Sequence, residues 1–166
     1  MGLDIHTAAL GGWVPDFVRV SNRMAGITRD PTVAEVSAHR GLLAVNALRV
    51  ENLELFIRHI APGAGLRDAP EAEAQEYTPA AGHDLRSDLA TIIQAAQARA
   101  ASPSRLHRIY RRLRPFTDGN GRCGRALWMW QMMRETPEQL AALARLDLSD
   151  ARHPLNADAV PRSSLM

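Results

Sequence analysis

Arg114-Pro115-Phe116-Thr117-Asp118-Gly119-Asn120-Gly121-Arg122-Cys123-Gly124-Arg125 is the stretch on which the rest of the chain depends. Upstream, Leu106, Ile109, Tyr110 and Leu113 recur at helical spacing after Pro103 and Ser104, which predicts a helix that ends at Pro115. Downstream, Ala126, Leu127, Trp128, Met129, Trp130, Met132 and Met133 form an apolar run with few breakers, the pattern of a helix buried around most of its circumference. The two helices are separated by a turn punctuated by Gly119 and Gly121.

Those glycines permit positive φ and close backbone approach, so the N–H groups around Asn120 are expected to form an anion nest at the start of the second helix. Phosphate is the natural guest of such a nest. Asp118 is a hard oxygen ligand suited to Mg2+ held between phosphates, and Arg122 and Arg125 bring fork-shaped donors from the first turns of the helix. Phe116 is expected to anchor the loop in the core.

The stretch resembles the signature of the Fic family, His-Pro-Phe-x-Asp-Gly-Asn-Gly-Arg-x-x-Arg, at every defined position except the first, where Arg114 stands. The resemblance implies an all-α fold with a small β-hairpin flap. It also implies transfer of a nucleotide moiety, usually AMP from Mg-ATP, onto a protein Ser, Thr or Tyr hydroxyl. In the family the histidine takes the hydroxyl proton. Arg114 cannot, because a guanidinium has a pKa above ~12 and no acceptor lone pair. Loss of general-base help is worth ~100- to ~10,000-fold, or about 3 to 5 kcal/mol. His107 is a poor replacement, since seven helical residues put it ~10 Å away along the axis.

A second, shorter resemblance lies near the N-terminus. Ser21-Asn22-Arg23-Met24-Ala25-Gly26 is similar to the family's inhibitory motif, Ser/Thr-x-x-x-Glu-Gly/Asn, whose glutamate pairs with the second signature arginine. Ala25 holds the glutamate's place and cannot pair with Arg125, so the resemblance implies an open or missing gate. The family's reverse reaction, which uses that glutamate to place water, is disfavoured for the same reason.

Composition bounds these readings. With 166 residues and 46% hydrophobic content the chain can bury the core of one modest domain. All 20 basic residues are arginine, which excludes a lysine Schiff base or a P-loop lysine, and the formal net charge is only +2. A single cysteine, Cys123, excludes an internal disulfide and suits a reducing compartment. No apolar run approaches ~20 residues and no basic-then-apolar leader opens the chain, so a cytoplasmic protein without membrane contact is expected, with a secreted effector as the other destination.

The chain divides into a lead-in over residues 1–13, a Fic-like domain over 14–148 and a tail over 149–166. Within the domain, 14–26 is the inhibitory-type helix, 61–83 the flap region and 104–134 the signature helix-loop-helix. Phe17, Val18, Val20 and Met24 mark the inner face of the first helix, closed by Gly26. Thr32 and Glu35 form a capping-box pattern that starts a helix bearing Val36, Leu42, Leu43 and Val45, in which His39 reads as a surface or packing residue. Val50, Leu53, Phe56, Ile57 and Ile60 give a further stripe, and Asp84 caps a helix with Leu85, Leu89, Ile92, Ile93 and Ala96 inside. Thr136-Pro137-Glu138-Gln139 reads as an N-cap, N1 proline and capping box. Arg105, Arg108, Arg111 and Arg112 read as solvated or phosphate-steering groups, since the aromatic interleaving of a nucleic-acid surface is missing.

Two functions from different classes follow. One is a nucleotidyltransferase with Asp118 on Mg2+, Gly119, Asn120 and Gly121 on the α- and β-phosphates, and Arg122 and Arg125 on β and γ, impaired by Arg114. The other is a non-catalytic Fic-like domain that binds nucleotide or a partner protein. Both leave the oligomeric state, and any antitoxin partner, open.

Overall fold

The computed structural model describes residues 12–68 and 84–156, and it is all-α. Seven α-helices are present among the described residues: α1 (Val14–Met24), α2 (Val33–Leu43), α3 (Val50–Ile60), α4 (Leu85–Gln97), α5 (Pro103–Leu113), α6 (Asn120–Glu135) and α7 (Pro137–Leu143), followed by a 3-10 turn at Pro154–Asn156. Among the described residues no helix is long and apolar enough to cross a membrane.

The architecture is organised around α6, because two hydrophobic clusters meet on it. Cys123, Ala126, Leu127 and Trp130 pack with the inner faces of α3, α4 and α5. Trp128, Met129 and Met132 pack with α1, Leu140 of α7 and Leu155. A helix that serves cores on opposite sides must be apolar all round, which is why this segment carries no clear amphipathic period. Phe17 stacks on Trp128 at 6.5 Å between centroids, and Trp130 donates its indole N–H to Val45 O at 2.9 Å. Burial of each such aromatic contributes roughly 1.5 to 3 kcal/mol.

The start signals act through visible bonds. Thr32 accepts from Glu35 N while the Glu35 carboxylate accepts from Thr32 N, completing the capping box of α2. Asp84 accepts from Ser87 N to start α4, and Ser102 accepts from Arg105 N to start α5. Gly26, at φ 78°, ends α1 in a Schellman arrangement, with Ile27 N–H to Asn22 O and Gly26 N–H to Arg23 O.

Several expectations change. Trp13, assigned to a loose lead-in, is buried and packs edge-on against Phe17. Met24 and Ile109 are exposed, while Asn22 and His107 are buried, because neighbouring helices approach from a different side than the apolar count implies. Thr136 makes no side-chain cap to α7, so the capping box read there does not form. Part of the expected tail also belongs to the core. Leu155 and His153 are buried, His153 bonds to Leu143 O, and the Ser104 hydroxyl donates to Pro154 O. The hairpin expected within 61–83 falls largely on residues 69–83, outside those described. Ahead of them Leu66 forms an isolated antiparallel bridge with Phe116, through Arg67 N–H to Pro115 O at 2.8 Å and Thr117 N–H to Gly65 O at 2.9 Å.

Candidate functional site

The turn between α5 and α6 is held by its own side chains. Arg114 ends α5 in the left-handed region at φ 46°, ψ 62°, a conformation that costs a non-glycine residue on the order of 1 kcal/mol. Phe116 is fully buried, as expected, and Asn120 reaches back to bond both its N–H (2.9 Å) and its O (2.7 Å). The Asn120 side chain is therefore a brace for the loop. Only its backbone is left to bind a ligand.

Gly119 sits at φ 74°, and a Cβ there would come within 2.9 Å of Ile57 Cδ1 and 3.1 Å of Ala61 Cβ. Both backbone conformation and space thus require glycine. Gly121 leaves room for the guanidinium of Arg125, whose Nη1 would lie 3.2 Å from an added Cβ. Gly124 lets α6 close onto α5, since a Cβ there would meet Tyr110 Cδ1 at 2.8 Å. The first bond of the α6 ladder runs from Cys123 N–H to Gly119 O, so the N–H groups of Asn120, Gly121 and Arg122 lie ahead of it.

These residues border a cleft of about 540 Å³ that is also lined by Met24, Ala25 and Ile27. Arg111, Arg114, Asp118, Gly119, Asn120, Gly121, Arg122 and Arg125 all line it, so the loop residues singled out from sequence converge on one space. Among the described residues its lining includes four arginines and one carboxylate residue, Asp118. Asp118 is exposed at the rim and accepts from Gly119 N–H at 2.6 Å. A separate hollow of about 330 Å³ between α2 and α3, lined by Ala38, Gly41, Leu42 and Leu55, has His59 as its one ionisable group and offers far less chemistry.

Arg122 and Arg125 are nonetheless less open than their sequence pattern suggests. Both are buried. Arg125 donates Nε to Ser21 Oγ and Nη2 to Ser21 O, each at 2.8 Å. Burial, and then the like charges of Arg122 and Arg111, hold its pKa down at about 10. Arg122 donates Nη1 to Ile60 O at 2.7 Å and lies 3.8 Å from Glu35, while its buried Nε has no hydrogen-bond partner.

The segment Ser21–Gly26 reaches Arg125 through Ser21 and not through position 25. Ser21 contacts Arg125; Ala25, capping α1 ahead of Gly26, contributes only a methyl wall.

Two buried groups were not expected at the site. Glu35 lies 2% exposed beneath it, gripped by Arg29 at 2.8 and 2.9 Å and by Asn22 at 3.3 Å. The Arg29 hydrogen bond, chiefly, pulls the Glu35 carboxyl down to about 2. The capping-box pattern announced Glu35 but not its burial. His39, read as a surface or packing residue, is a packing one, edge-on to Phe17 and Phe56, with Nδ1 at 2.7 Å from Glu35 O.

Other nucleophile and base candidates are silenced by burial. His107 lies in the α5–α6 seam behind Gly124, away from the cleft lining, and is driven down to about 3 by burial and by Arg111 and Arg125. Burial pushes the Cys123 thiol up to about 12, which agrees with its reading as a small filler.

Comparison with known protein families, with curated proteins and with solved structures finds no match for this chain.

Proposed function

We propose that the cleft binds a nucleoside triphosphate with Mg2+, and that the chain is a Fic-type protein nucleotidyltransferase, transferring AMP to a protein hydroxyl, in which the transfer step is impaired. The observation that carries this reading is the convergence of Asp118, the start of α6 and the guanidinium groups of Arg122 and Arg125 on one cleft. A helix start and arginine forks are complementary to phosphate oxygens.

The residues fit the proposed cofactor. Mg2+ is commonly held by one or two carboxylates, with substrate phosphates and water supplying the rest. Asp118 offers one such carboxylate at the rim, and no cluster of three or more His, Cys, Asp or Glu is present among the described residues. Bound there with the nucleotide, the ion would neutralise charge on the phosphates.

The chain's own groups then divide the work. The Gly119–Arg122 backbone receives phosphate oxygens, Arg122 and Arg125 offset their charge, and Phe116 with Asn120 keeps the loop in shape. Arg114 orients or neutralises an anion. It cannot accept the proton of an incoming hydroxyl.

A second reading, a non-catalytic nucleotide- or partner-binding domain, is favoured by one observation: among the described residues, those lining the cleft include no histidine. Titration calorimetry with ATP, with and without Mg2+, together with incorporation of labelled AMP by the unaltered chain and by Arg114→His, separates the two. The expected result is Mg-dependent binding, little transfer by the unaltered chain, and a gain of ~100-fold or more in the histidine variant. Strong labelling by the unaltered chain contradicts impairment. A histidine variant that binds ATP without transferring AMP supports the binding domain, and loss of ATP binding altogether removes both.

A further inference from the structure

Arg111 has no place in the signature, yet it lines the cleft. Its position follows from the packing of the seam. Helices α5 and α6 are joined by a short turn and run back to back, with Gly124 closed against Tyr110 and His107. Arg111 and Arg125 border the same cleft from the two helices, Arg111 in the last turn of α5 and Arg125 near the start of α6.

Guanidinium groups that share one cleft repel one another unless an anion offsets their charge. Each cationic neighbour makes the charge on Arg125 harder to hold, and Arg111 is one of them. The Arg125 fork already spends Nε and Nη2 on Ser21, which leaves Nη1, on the side facing Gly121. Arg122, lining the same cleft, keeps an unpartnered buried Nε. Arg125 Nη1 and Arg122 Nε are thus the guanidinium donors that α6 leaves at the cleft, and Arg111, exposed on α5, adds another.

We infer that Arg111 is a specificity-determining residue, closing on the terminal phosphate of a triphosphate from α5 while Arg125 holds it from α6. This rests on the proposal that the cleft takes a nucleotide, and it deepens that proposal by assigning preference for three phosphates over one or two. The bland account of Arg111 is a cation in the last turn of α5, where it complements the helix dipole. Arg112, in the same turn but not lining the cleft, shares that account and serves as the control.

The test is titration calorimetry of the full chain in Mg2+ with ATP, ADP, AMP and inorganic tripolyphosphate, for the unaltered protein, Arg111→Gln and Arg112→Gln. Thermal melting is run alongside to show that each variant is folded. Loss of one charge-assisted contact is expected to weaken ATP and tripolyphosphate about tenfold in Arg111→Gln. AMP affinity should be unchanged, and Arg112→Gln should match the unaltered chain.

An equal loss for ATP, ADP and AMP, or a loss matched by Arg112→Gln, overturns the clamp and leaves simple steering. ATP binding indifferent to Arg111 removes the clamp and keeps the nucleotide site. Tripolyphosphate binding that depends on Arg111, without any nucleotide binding, keeps the clamp and removes the nucleotide. Binding of neither ligand removes both.

Discussion

The first turns of α2 and α6 approach one another through Glu35 and Arg122, and they are completed in opposite ways. The start of α2 is closed from within. Thr32 and Glu35 exchange bonds, and Arg29 and Asn22 complete the shell of the Glu35 carboxylate. The start of α6 has a glycine cap without a side-chain bond, and among the described residues lining the cleft there the arginines outnumber the carboxylates. Anions stabilise helix starts. One of these helices carries its anion in its own sequence; under the proposed function the other receives one from solution.

The sharpest way to break the contrast is to spoil the geometry of the receiving end. Gly119→Ala adds a methyl at positive φ, against Ile57 and Ala61, and should cost on the order of 3 kcal/mol in a urea titration, with loss of nucleotide binding. A loss below ~1 kcal/mol would mean that the loop relaxes freely and is not a preformed cradle.

Opening the closed end comes next. Glu35→Gln leaves Arg29 with a neutral partner and should cost about 2 kcal/mol near neutral pH, less than for a fully buried pair because Arg29 is half-exposed. The folded Glu35 pKa of about 2 lies below its ordinary 4.5. Its contribution is therefore complete above about pH 4.5 and is lost as pH falls through about 2. The stability gap between unaltered chain and variant should narrow as urea titrations move from pH 5 to pH 3; a gap that widens would show that the carboxylate is not held in its charged form.

The smallest effect on stability is expected at Asp118. Exposed at the rim, it should tolerate Asp118→Asn within ~0.5 kcal/mol by thermal melting, while the Mg2+ dependence of ATP binding disappears. Retained Mg2+ dependence would move the metal site elsewhere.

Periodicity made much of this molecule legible beforehand. The stripes of α3 and α4 are buried residue for residue, and the caps at Thr32 and Asp84 stand where their patterns put them. Such features depend on neighbours three or four positions away, which a single sequence displays. What was hidden depends on contacts between distant segments. Ser21 meets Arg125 across more than a hundred residues, and Glu35 is buried because Arg29, Asn22 and Arg122 surround it. In sequence a capping glutamate looks like any solvated acid. The wall at Arg111 was hidden for a related reason: four arginines on α5 form one stripe, and only the approach of α6 sorts one of them into the cleft.

Cys123 carries a practical corollary. The sole thiol of the chain sits with Tyr110 in the seam behind the loop, inaccessible to water. An alkylating reagent can reach it only when α5 and α6 part, which makes its reaction rate a clock for the opening of this corner. A ligand that seats in the cleft would slow that clock.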